Sequence, residues 1–487
     1  MAGVHRLAHH YTRIQTVSDL MPRGEDPSVH ELNHMFRPES VAIVGASEDP
    51  AKWGFGVLNN ITRGGFQGRV YPVNPNAETI LGHRAYKSLR EIPERLDLAF
   101  IVIPSPLVVG AVREAVATGV RSLIIITAGF GETGAEGKKR EAEVQSLCRG
   151  AGIPAAGPNC MGICSFPVKL VGTMEPLKSD AGHLSFISQS GTYGVTTLNY
   201  GLHLHLPFNA FISSGNEAVT RFSDYLEYLG QDNETHVIMG YIESLRDGQK
   251  FMRVARDVSR RKPIVVMKFG RTDDGTRAAA SHTGALAGSN IIYDALFKQC
   301  GVIAVTRTHD LLNVAMAFDM QPPLRGNRIA IVGPSGGFGV ATTDFLAEQG
   351  LKVPEIDFML QRKLREEADA LPFASLKNPI DLAADLRVDP LLKCAETVLN
   401  LDMIDGAIIG LHSRPFPPDE RLLRRLEEIQ HETGKPMSIC YFSRPEGMDV
   451  VQSMTRIIPV YRSAEDVGQV MSCLWQYGRR LTSLENS

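Results

Sequence analysis

The chain alternates short apolar runs with amphipathic stretches from Ser40 onward. The apolar runs are rich in β-branched residues and end in Gly or Pro, which is typical of buried parallel strands joined by crossover helices. Strands are predicted at 40–47, 69–75, 98–104 and 122–127, with a fifth short run ending at 160 and a helix over 106–118. This order of elements predicts a Rossmann-like α/β unit over residues 36–165.

Beyond residue 165 the sequence repeats itself. Residues 182–191 align with residues 327–336, and both segments read as a strand, a Ser-Gly turn and a helix. Three further pairs of segments match: 236–243 with 405–413, 262–266 with 435–439, and 302–305 with 457–460. Several matching segments in the same order along the chain predict two copies of one structural unit. We expect two flavodoxin-like, doubly wound units, at 166–325 and at 326–487.

The first copy carries an insertion that the second copy lacks. The extra residues lie within 270–288 and are small and Gly-rich around a single histidine, His282. Small residues allow a backbone to pass closely through a confined site and to pivot there. On composition alone, a surface loop with an incidental histidine explains the insertion equally well.

A carboxylate also distinguishes the two copies. Glu243 ends a predicted strand at the sheet edge where α/β folds bind ligands, and Ser413 stands at the equivalent position. A carboxylate that accepts a hydrogen bond from one imidazole nitrogen leaves the other nitrogen free as a nucleophile. Glu243 and His282 are therefore candidate catalytic residues. A salt bridge at the strand end is the alternative for Glu243.

Each copy has a Ser-Gly turn between a strand and a helix. Such a turn leaves the N–H groups of the first helical turn unpaired at the positive end of the helix dipole, which attracts phosphate. The candidate phosphate-binding residues are Ser190, Gly191, Thr192, Ser335, Gly336 and Gly337. An ordinary helix cap explains either turn alone, whereas two turns facing one ligand would form a phosphate cradle.

Two motifs suggest other chemistry. Residues 333–337 satisfy G-x-S-x-G between a strand and a helix, and Asp385 and His412 follow in the chain order of a serine hydrolase. Residues 30–34 spell the zinc signature H-E-x-x-H. That signature lies in an N-terminal extension, 1–35, which we expect to be mobile apart from a short helix near 29–36. We therefore predict no metal site there.

The overall composition fits a folded, globular protein. With 487 residues, two to four domains are expected, and 51 Lys+Arg nearly balance 54 Asp+Glu, so no basic surface for nucleic acid is indicated. No apolar run approaches the length of a membrane helix, and the start lacks a secretory signal, so we expect no membrane partner and a cytoplasmic location. The seven scattered cysteines have no C-x-x-C spacing and are expected to be reduced thiols.

The first Gly-containing turn of the chain does not match a dinucleotide site. Gly45-Ala46-Ser47 breaks the G-x-G-x-x-G fingerprint, and no acidic residue ends the second strand. Redox dinucleotides are therefore disfavoured. A phosphorylated ligand could still bind here through backbone N–H groups and the ammonium of Lys52.

Taken together, six segments resemble the NDP-forming acyl-CoA synthetases, which are relatives of succinyl-CoA synthetase. They are 40–47, 73–75, 157–162, 187–191, the Ser-His-Thr-Gly segment 281–288, and 378–382. The resemblance implies a Rossmann-like CoA-binding domain followed by two flavodoxin-like domains. It also implies a reaction that interconverts carboxylic acid, CoA and ATP with acyl-CoA, ADP and phosphate through acyl phosphate and a phosphohistidine.

The resemblance assigns roles by position. His282 corresponds to the phosphohistidine, Glu243 to its stabilising carboxylate, and the turns at Ser190 and Ser335 to the helix ends that cradle the phosphate. Ala285 stands where the family motif commonly has Ser. The implied CoA contacts are Gly45, Ser47, Lys52, Asn74, Pro104 and Asn159.

The chain resembles only the α subunit of such an enzyme. It has no G-x-x-x-x-G-K-[ST] phosphate loop and no further stretch for an ATP-grasp module. The resemblance therefore implies a separate ATP-grasp β subunit that binds ATP or ADP with Mg²⁺, and hence a hetero-oligomer. A CoA- or acyl-CoA-binding regulatory protein without turnover is the alternative from a different functional class.

Overall fold

The computed structural model describes residues 31–275, 277, 290–412, 419–442, 445–455 and 457–485. Three mainly parallel sheets form the centres of three α/β units, so the predicted fold class is confirmed. The loop that carries His282 lies outside the described residues, as do Ser413 and His30.

The first unit contains a five-stranded parallel sheet with the order β2-β1-β5-β6-β7. Its strands are β1 (Ser40–Val44), β2 (Arg69–Val73), β5 (Leu98–Ile101), β6 (Ser122–Ile125) and β7 (Ala155–Ala156), with the hairpin β3 (Thr79–Ile80) and β4 (His83–Arg84) beside them. Its helices are α1 (Asn33–Phe36), α2 (Trp53–Arg63), α3 (Ser105–Ala117) and α4 (Ala135–Gly150). The Rossmann-like unit predicted from the apolar runs is confirmed.

The second unit is built on a seven-stranded sheet with the order β14-β13-β12-β10-β11-β8-β9. Its strands are β8 (Gly162–Ser165), β9 (Leu170–Thr173), β10 (Leu184–Ser188), β11 (Phe208–Ser213), β12 (Val237–Ile242), β13 (Ile264–Lys268) and β14 (Ile303–Val305). Its helices are α5 (Gly191–His203), α6 (Phe222–Gln231), α7 (Gly248–Val258), α8 (Asn290–Cys300) and α9 (Thr308–Met320). The parallel part has the 2-1-3-4-5 strand order of flavodoxin.

The third unit repeats this order in the sheet β16-β17-β15-β18-β19-β20. Its strands are β15 (Ile329–Gly333), β16 (Ser375–Leu376), β17 (Ile380–Asp381), β18 (Gly406–His412), β19 (Met437–Phe442) and β20 (Val460–Tyr461). Its helices are α10 (Gly336–Glu348), α11 (Phe358–Glu367), α12 (Val388–Leu399), α13 (Glu420–Thr433), α14 (Pro445–Met454) and α15 (Ala464–Glu485). The five parallel strands of the second sheet therefore have counterparts in the same order in the third, as the repeat predicts, whereas β9 has none.

The structure differs from the sequence-based expectation in two places. Residues 162–165, which the sequence pattern places in the first unit, form β8 and pair antiparallel with β11 of the second sheet. Leu32, Met35 and Phe36, around the predicted short helix, are buried in a core shared by the first two units. Apolar packing therefore holds residues 32–36 to the protein, and only the residues before them stay a predicted extension.

The second and third units share a helix interface. His309 Nε2 lies 3.5 Å from Asp466 Oδ2 near the starts of α9 and α15, and the rings of Phe318 and Tyr477 meet further along, with centroids 5.4 Å apart. The two helices therefore run in the same direction. Because each follows the last strand of its sheet, the carboxyl edges of both sheets face the same end of the molecule.

Two further findings concern the described residues as a whole. All seven cysteines are buried as free thiols, and burial raises the thiol pKa values of Cys148 and Cys473 to about 12. No described helix combines the length and the apolar character that a bilayer crossing requires.

The buried carboxyl of Asp319, on α9, is expected to make the stability of the protein depend on pH. Its side chain is 8% exposed, and His236 Nδ1 lies 4.0 Å from its Oδ1. Within the described part of the chain, this oxygen has no hydrogen-bond partner. Burial raises the pKa of Asp319 from 3.8 to about 6, although the charge of His183 opposes the rise. An acid with a raised folded-state pKa costs stability above that value and costs nothing below its unfolded value.

We expect Asp319→Asn to raise the melting temperature at pH 8, with the gain vanishing as the pH falls toward 3.8. Asp466→Asn is the matched control, because hydrogen bonding to His309 lowers the pKa of Asp466 against the effect of burial. That variant should lose stability at pH 8. Thermal melts across this pH range measure both effects, and a loss of stability in Asp319→Asn at pH 8 would contradict the assignment.

Candidate functional site

A cavity of about 420 Å³ lies between the first and second units. It opens at the carboxyl ends of β10 and β12, which are neighbours in the sheet although β11 separates them in sequence. This is the topological switch point, where open α/β sheets bind ligands. The first unit and the strand pair that follows it contribute Trp53, Ile126, Ala128, Asn159, Cys160, Met161 and Met174. The second unit contributes Gln189, Ser190, Gly191, Thr192, Gly215, Asn216, Glu217, Glu243, Ser244 and Arg246.

The N-terminus of α5 points its first turn at this cavity. Ser190 is the N-cap residue, but its side chain makes no cap hydrogen bond. A helix end without a side-chain cap keeps N–H groups available to an anion. A Cβ on Gly191 would lie 2.6 Å from Met161 Cγ, so a larger residue here would have to displace the Met161 side chain. The turn is therefore a narrow, electropositive wall of the cavity.

Glu243 enters the cavity from the neighbouring strand, β12, and Gln189 fixes its backbone. Gln189 Oε1 accepts hydrogen bonds from the N–H groups of Glu243, at 2.7 Å, and Ser244, at 3.0 Å. Its Nε2 donates to Glu217 Oε1, at 2.9 Å, and to the Ser244 carbonyl, at 2.7 Å. The structure thus brings the predicted Glu243 and Ser190 turn together and adds a second, buried carboxylate.

Glu217 is 3% exposed. Burial raises the pKa of this carboxyl, and hydrogen bonds from Gln189 and Ser214 act in the opposite direction. Ser214 Oγ donates to the same Oε1 atom at 2.8 Å. Glu217, which lines the cavity, therefore accepts hydrogen bonds from both Gln189 and Ser214.

A buried lysine lies at the end of the next strand, β13. Lys268 is 2% exposed, its Nζ donates to the Phe269 carbonyl, and it lies 4.7 Å from the centre of the Tyr293 ring. Burial lowers its pKa, Arg271 acts in the same direction, and Glu243 opposes the change. This ammonium sits where the chain enters the segment that carries His282.

Three other aromatic rings pack together at the ends of β12 and β13 and at the start of α5. Tyr241 stacks on Phe269, with ring centroids 4.4 Å apart, and Tyr193 contacts both rings. Burial, with the nearby Glu243 charge, raises the pKa of the Tyr241 phenol. These contacts hold Phe269, the first residue after β13, against the sheet.

The predicted CoA contacts lie at the carboxyl edge of the first sheet. A side chain on Gly54 would approach the Gly45 carbonyl oxygen to 1.9 Å, so the start of α2 lies directly against the β1 turn. Asn74 Nδ2 donates to the Ala46 carbonyl at 2.9 Å, and Ser47 Oγ accepts from the Asp49 N–H at 3.0 Å. The side chains of Asn74 and Ser47 thus shape the turn.

The other predicted contacts lie elsewhere along the same carboxyl edge. Lys52 is exposed and precedes α2, Pro104 precedes α3, and Asn159 Nδ2 lies 3.2 Å from Asn216 Oδ1 across the unit boundary. Of the six predicted contacts, only Asn159 also lines the cavity. Trp53, which the sequence pattern did not single out, is 53% exposed at the cavity wall next to Lys52.

The second Ser-Gly turn is arranged differently. Ser335, Gly336 and Gly337 lie at the carboxyl edge of the third sheet and do not line the cavity. Ser335 caps α10 by accepting the Phe338 N–H. A side chain on Gly336 would lie 2.7 Å from Asp381 Oδ2. At this helix end, therefore, the Ser335 side chain caps the helix and the Asp381 carboxylate lies next to Gly336.

The residues of the two rival motifs are also placed by the structure. Asp385 and His412 line one small pocket that also includes Pro334, and in it Asp385 forms an ion pair with Arg387, at 2.7 Å. His34 Nδ1 lies 3.3 Å from Asp97 Oδ1, and its other nitrogen lies 3.0 Å from Arg121 Nη1. No group of three or more metal-ligating side chains occurs among the residues that the structure describes.

Comparisons with known proteins identify two families along the chain. Residues 39–165 match the CoA binding domain family, and residues 181–318 match the family described as succinyl-CoA ligase like flavodoxin domain. The chain is 37% identical to the α subunit of acetate–CoA ligase [ADP-forming] II of Pyrococcus furiosus, over 92% of this chain and 98% of that protein.

Two more similar proteins extend the comparison. The 4-hydroxybutyrate–CoA ligase [ADP-forming] of Nitrosopumilus maritimus is 32% identical over 91% of this chain and 64% of its own length. A solved structure of Ca. Korarchaeum cryptofilum dinucleotide forming acetyl-coenzyme A synthetase 1, in complex with phosphate and ADP, is 31% identical with a TM-score of 0.85. That similarity covers 93% of this chain and 98% of the other.

The close packing at Gly54 leads to a stability prediction. We expect Gly54→Ala to lower the free energy of unfolding by about 1 to 3 kcal/mol, because the added methyl group meets a backbone oxygen that has no room to move. Gly110→Ala in α3 is the control, since that position has open space and alanine favours a helix. Urea titrations measure both, and equal stability of the two variants would contradict this packing.

The arrangement around Ser335 predicts no hydrolase chemistry. We expect a fluorophosphonate probe to leave Ser335 unmodified, because this serine caps a helix and Asp385 is paired with an arginine. Mass spectrometry after incubation with the probe is the measurement. Stoichiometric labelling that Ser335→Ala removes would establish a nucleophilic serine.

Proposed function

This chain belongs to the α subunits of the NDP-forming acyl-CoA synthetases, and from that premise we propose that the cavity between its first two units is where thioester and phosphate exchange. The enzyme is an acid-thiol ligase that interconverts acid, CoA and ATP with acyl-CoA, ADP and phosphate. The observation that carries the proposal is the meeting of the uncapped α5 N-terminus with Glu243 in one cavity beside the CoA-binding unit.

The first unit suits a phosphorylated, thiol-bearing ligand. The start of α2 presses against the Gly45 turn, and exposed Lys52 stands beside it as a cation for phosphate. Trp53 and Asn159 lead from this edge into the cavity. We assign Gly45, Ser47, Lys52, Asn74, Pro104 and Asn159 to the CoA site on this basis. CoA, when bound, supplies the thiol of the thioester.

The second unit holds the groups that act on phosphate. The N–H groups at Gly191 and Thr192 would bind phosphate oxygens and stabilise the charge that develops as phosphate attacks the acyl carbon and the thiol leaves. Glu243 would then accept a hydrogen bond from one nitrogen of His282 and stabilise the ring once it carries the phosphoryl group. The Glu243 carboxylate would thus stabilise a positive charge, and the α5 N-terminus a negative charge, at neighbouring positions.

The third unit contributes the second helix end. The paired helices α9 and α15 turn the carboxyl edges of both sheets to one end of the molecule. We propose that the Ser335 turn receives the phosphorylated His282 segment at this end. Covalent relay through histidine divides one difficult transfer into easier steps.

We further propose an ATP-grasp β subunit as the partner. It would bind ATP or ADP with Mg²⁺ and exchange the phosphoryl group with His282, which makes the working enzyme a hetero-oligomer. Similar proteins are named for acetate and for 4-hydroxybutyrate. Family membership therefore does not identify the acyl group on which this chain acts, and an assay with different acids does.

The test is phosphorylation of the chain by its partner. Mixed with the β subunit and MgATP carrying labelled γ-phosphate, the chain should acquire acid-labile label on His282. His282→Ala should abolish the label and full turnover, and Glu243→Gln should lower both by about 10²-fold or more, because it weakens stabilisation of a charged ring. His431→Ala, which changes an exposed histidine on α13 of the third unit, is the control and should label normally. Full turnover by His282→Ala would refute the mechanism.

A further inference from the structure

We propose that Gln189 is the positioning residue that aims Glu243 at the cavity, and that Glu217 fixes the orientation of the Gln189 amide. This inference rests on the proposed function, since it assumes that the Glu243 carboxylate takes part in phosphoryl transfer. Gln189 lies at the end of β10 and Glu243 at the end of β12, so one side chain joins the two strands that border the switch point.

The side-chain amide of Gln189 uses both of its ends on the Glu243 backbone. Its oxygen accepts from the Glu243 and Ser244 N–H groups, and its nitrogen donates to the Ser244 carbonyl. The backbone N–H of Gln189 also donates to the Tyr241 carbonyl, at 3.2 Å. The chain on both sides of the Glu243 Cα is therefore held, which sets the direction in which its side chain leaves the strand.

Glu217 determines which way round the amide sits. A glutamine side chain can present either its oxygen or its nitrogen to a given neighbour. Glu217 Oε1 accepts from Gln189 Nε2 and from Ser214 Oγ. A carboxylate at this point favours the nitrogen on its own side and leaves the oxygen for the N–H groups of β12. Because Glu217 is almost completely buried, solvent does not replace it as the acceptor.

The two flavodoxin-like copies allow Gln189 and Glu243 to be compared with their equivalents at ordinary strand ends. In the aligned segments, Pro334 stands in the second copy where Gln189 stands in the first, and Ser413 stands where Glu243 does. Proline has no side-chain amide with which to hold a neighbouring strand. Gln189 and Glu243 therefore occur together in the copy that carries the His282 segment, and both are replaced in the copy that lacks it.

The decisive experiment is a double-mutant cycle between Gln189 and Glu243 in the α–β enzyme. Gln189→Met keeps the length of the side chain and removes its hydrogen bonds. We expect it to slow formation of phosphohistidine by about 10 to 100-fold, since small misplacements of a reacting group cost rates of this order. The CoA dissociation constant should stay within about twofold, because Gln189 does not contact the CoA turn.

The cycle distinguishes positioning from a structural role. If Gln189 acts through Glu243, then Gln189→Met should add no further loss in the Glu243→Gln background. A merely structural role would make the two losses multiply, and this result would overturn the proposal. Gln361→Met is the matched control, since Gln361 Nε2 also donates to a backbone carbonyl, that of Ile356 at 2.7 Å, but lies in the third unit. It should phosphorylate at the normal rate.

Two further outcomes distinguish a failure of this inference from a failure of the proposed function. If Gln189→Met fails to fold, Gln189→Asn is used in the same cycle, because its shorter amide no longer reaches both N–H groups. A normal rate in Gln189→Met or Gln189→Asn, with a slow Glu243→Gln variant, would overturn the positioning role and leave the proposed function intact. A normal rate in Glu243→Gln would overturn the role of the carboxylate and, with it, this inference.

Discussion

The site depends on the contact between two neighbouring strand ends that the chain order keeps apart. In each flavodoxin-like unit the first and third strands lie side by side, and the helices that follow them leave toward opposite faces of the sheet. This separation opens a crevice at the sheet edge. In the second unit, the Gln189 amide bridges the crevice and hydrogen-bonds to the backbone of Glu243. The first unit closes the crevice from the other side, so the cavity exists only where two units meet.

Opposite charges occupy neighbouring walls of this cavity for a physical reason. In the proposed mechanism, the uncapped end of α5 would stabilise an anionic phosphate, whereas the Glu243 carboxylate would stabilise a protonated imidazole. Glu243 on its own would repel phosphate. The helix end, Arg246 at the cavity wall and the buried Lys268 ammonium near Glu243 offset that repulsion. The segment that carries His282 follows Lys268 in the chain.

The sequence predicts the architecture well and the site in part. The apolar runs and the repeat locate the parallel strands of the first sheet and four strands in each of the other two, because buried parallel strands have a distinctive composition and a duplication repeats it. They do not mark β11 or β17. Glu243 and the Ser190 turn follow from the same reasoning, since strand ends of one sheet meet at one edge. The border near residue 165 does not follow, because β8 and β9 add to a neighbouring sheet through long-range pairing.

Other site residues were missed because their roles arise only in three dimensions. Glu217 and Trp53 lie in loops and at a helix start, where no periodicity marks them. Lys268 ends a strand and reads as an ordinary solvent-exposed cation, but it is buried. A comparison of the two copies position by position identifies Gln189, since Pro334 replaces it. The His282 segment, predicted from the insertion and the resemblance, stays a prediction.

The most direct test of the account is a structure of the chain crystallised with CoA and inorganic phosphate. We expect the thiol end of CoA to enter the cavity past Trp53 and Asn159, with phosphate oxygens about 3 Å from the Gly191 and Thr192 nitrogens. Sulfur and phosphate would then lie on either side of one acyl-sized space, within reach of Glu243. A thiol outside this cavity, or phosphate bound at the Ser335 turn and not at α5, would contradict the account.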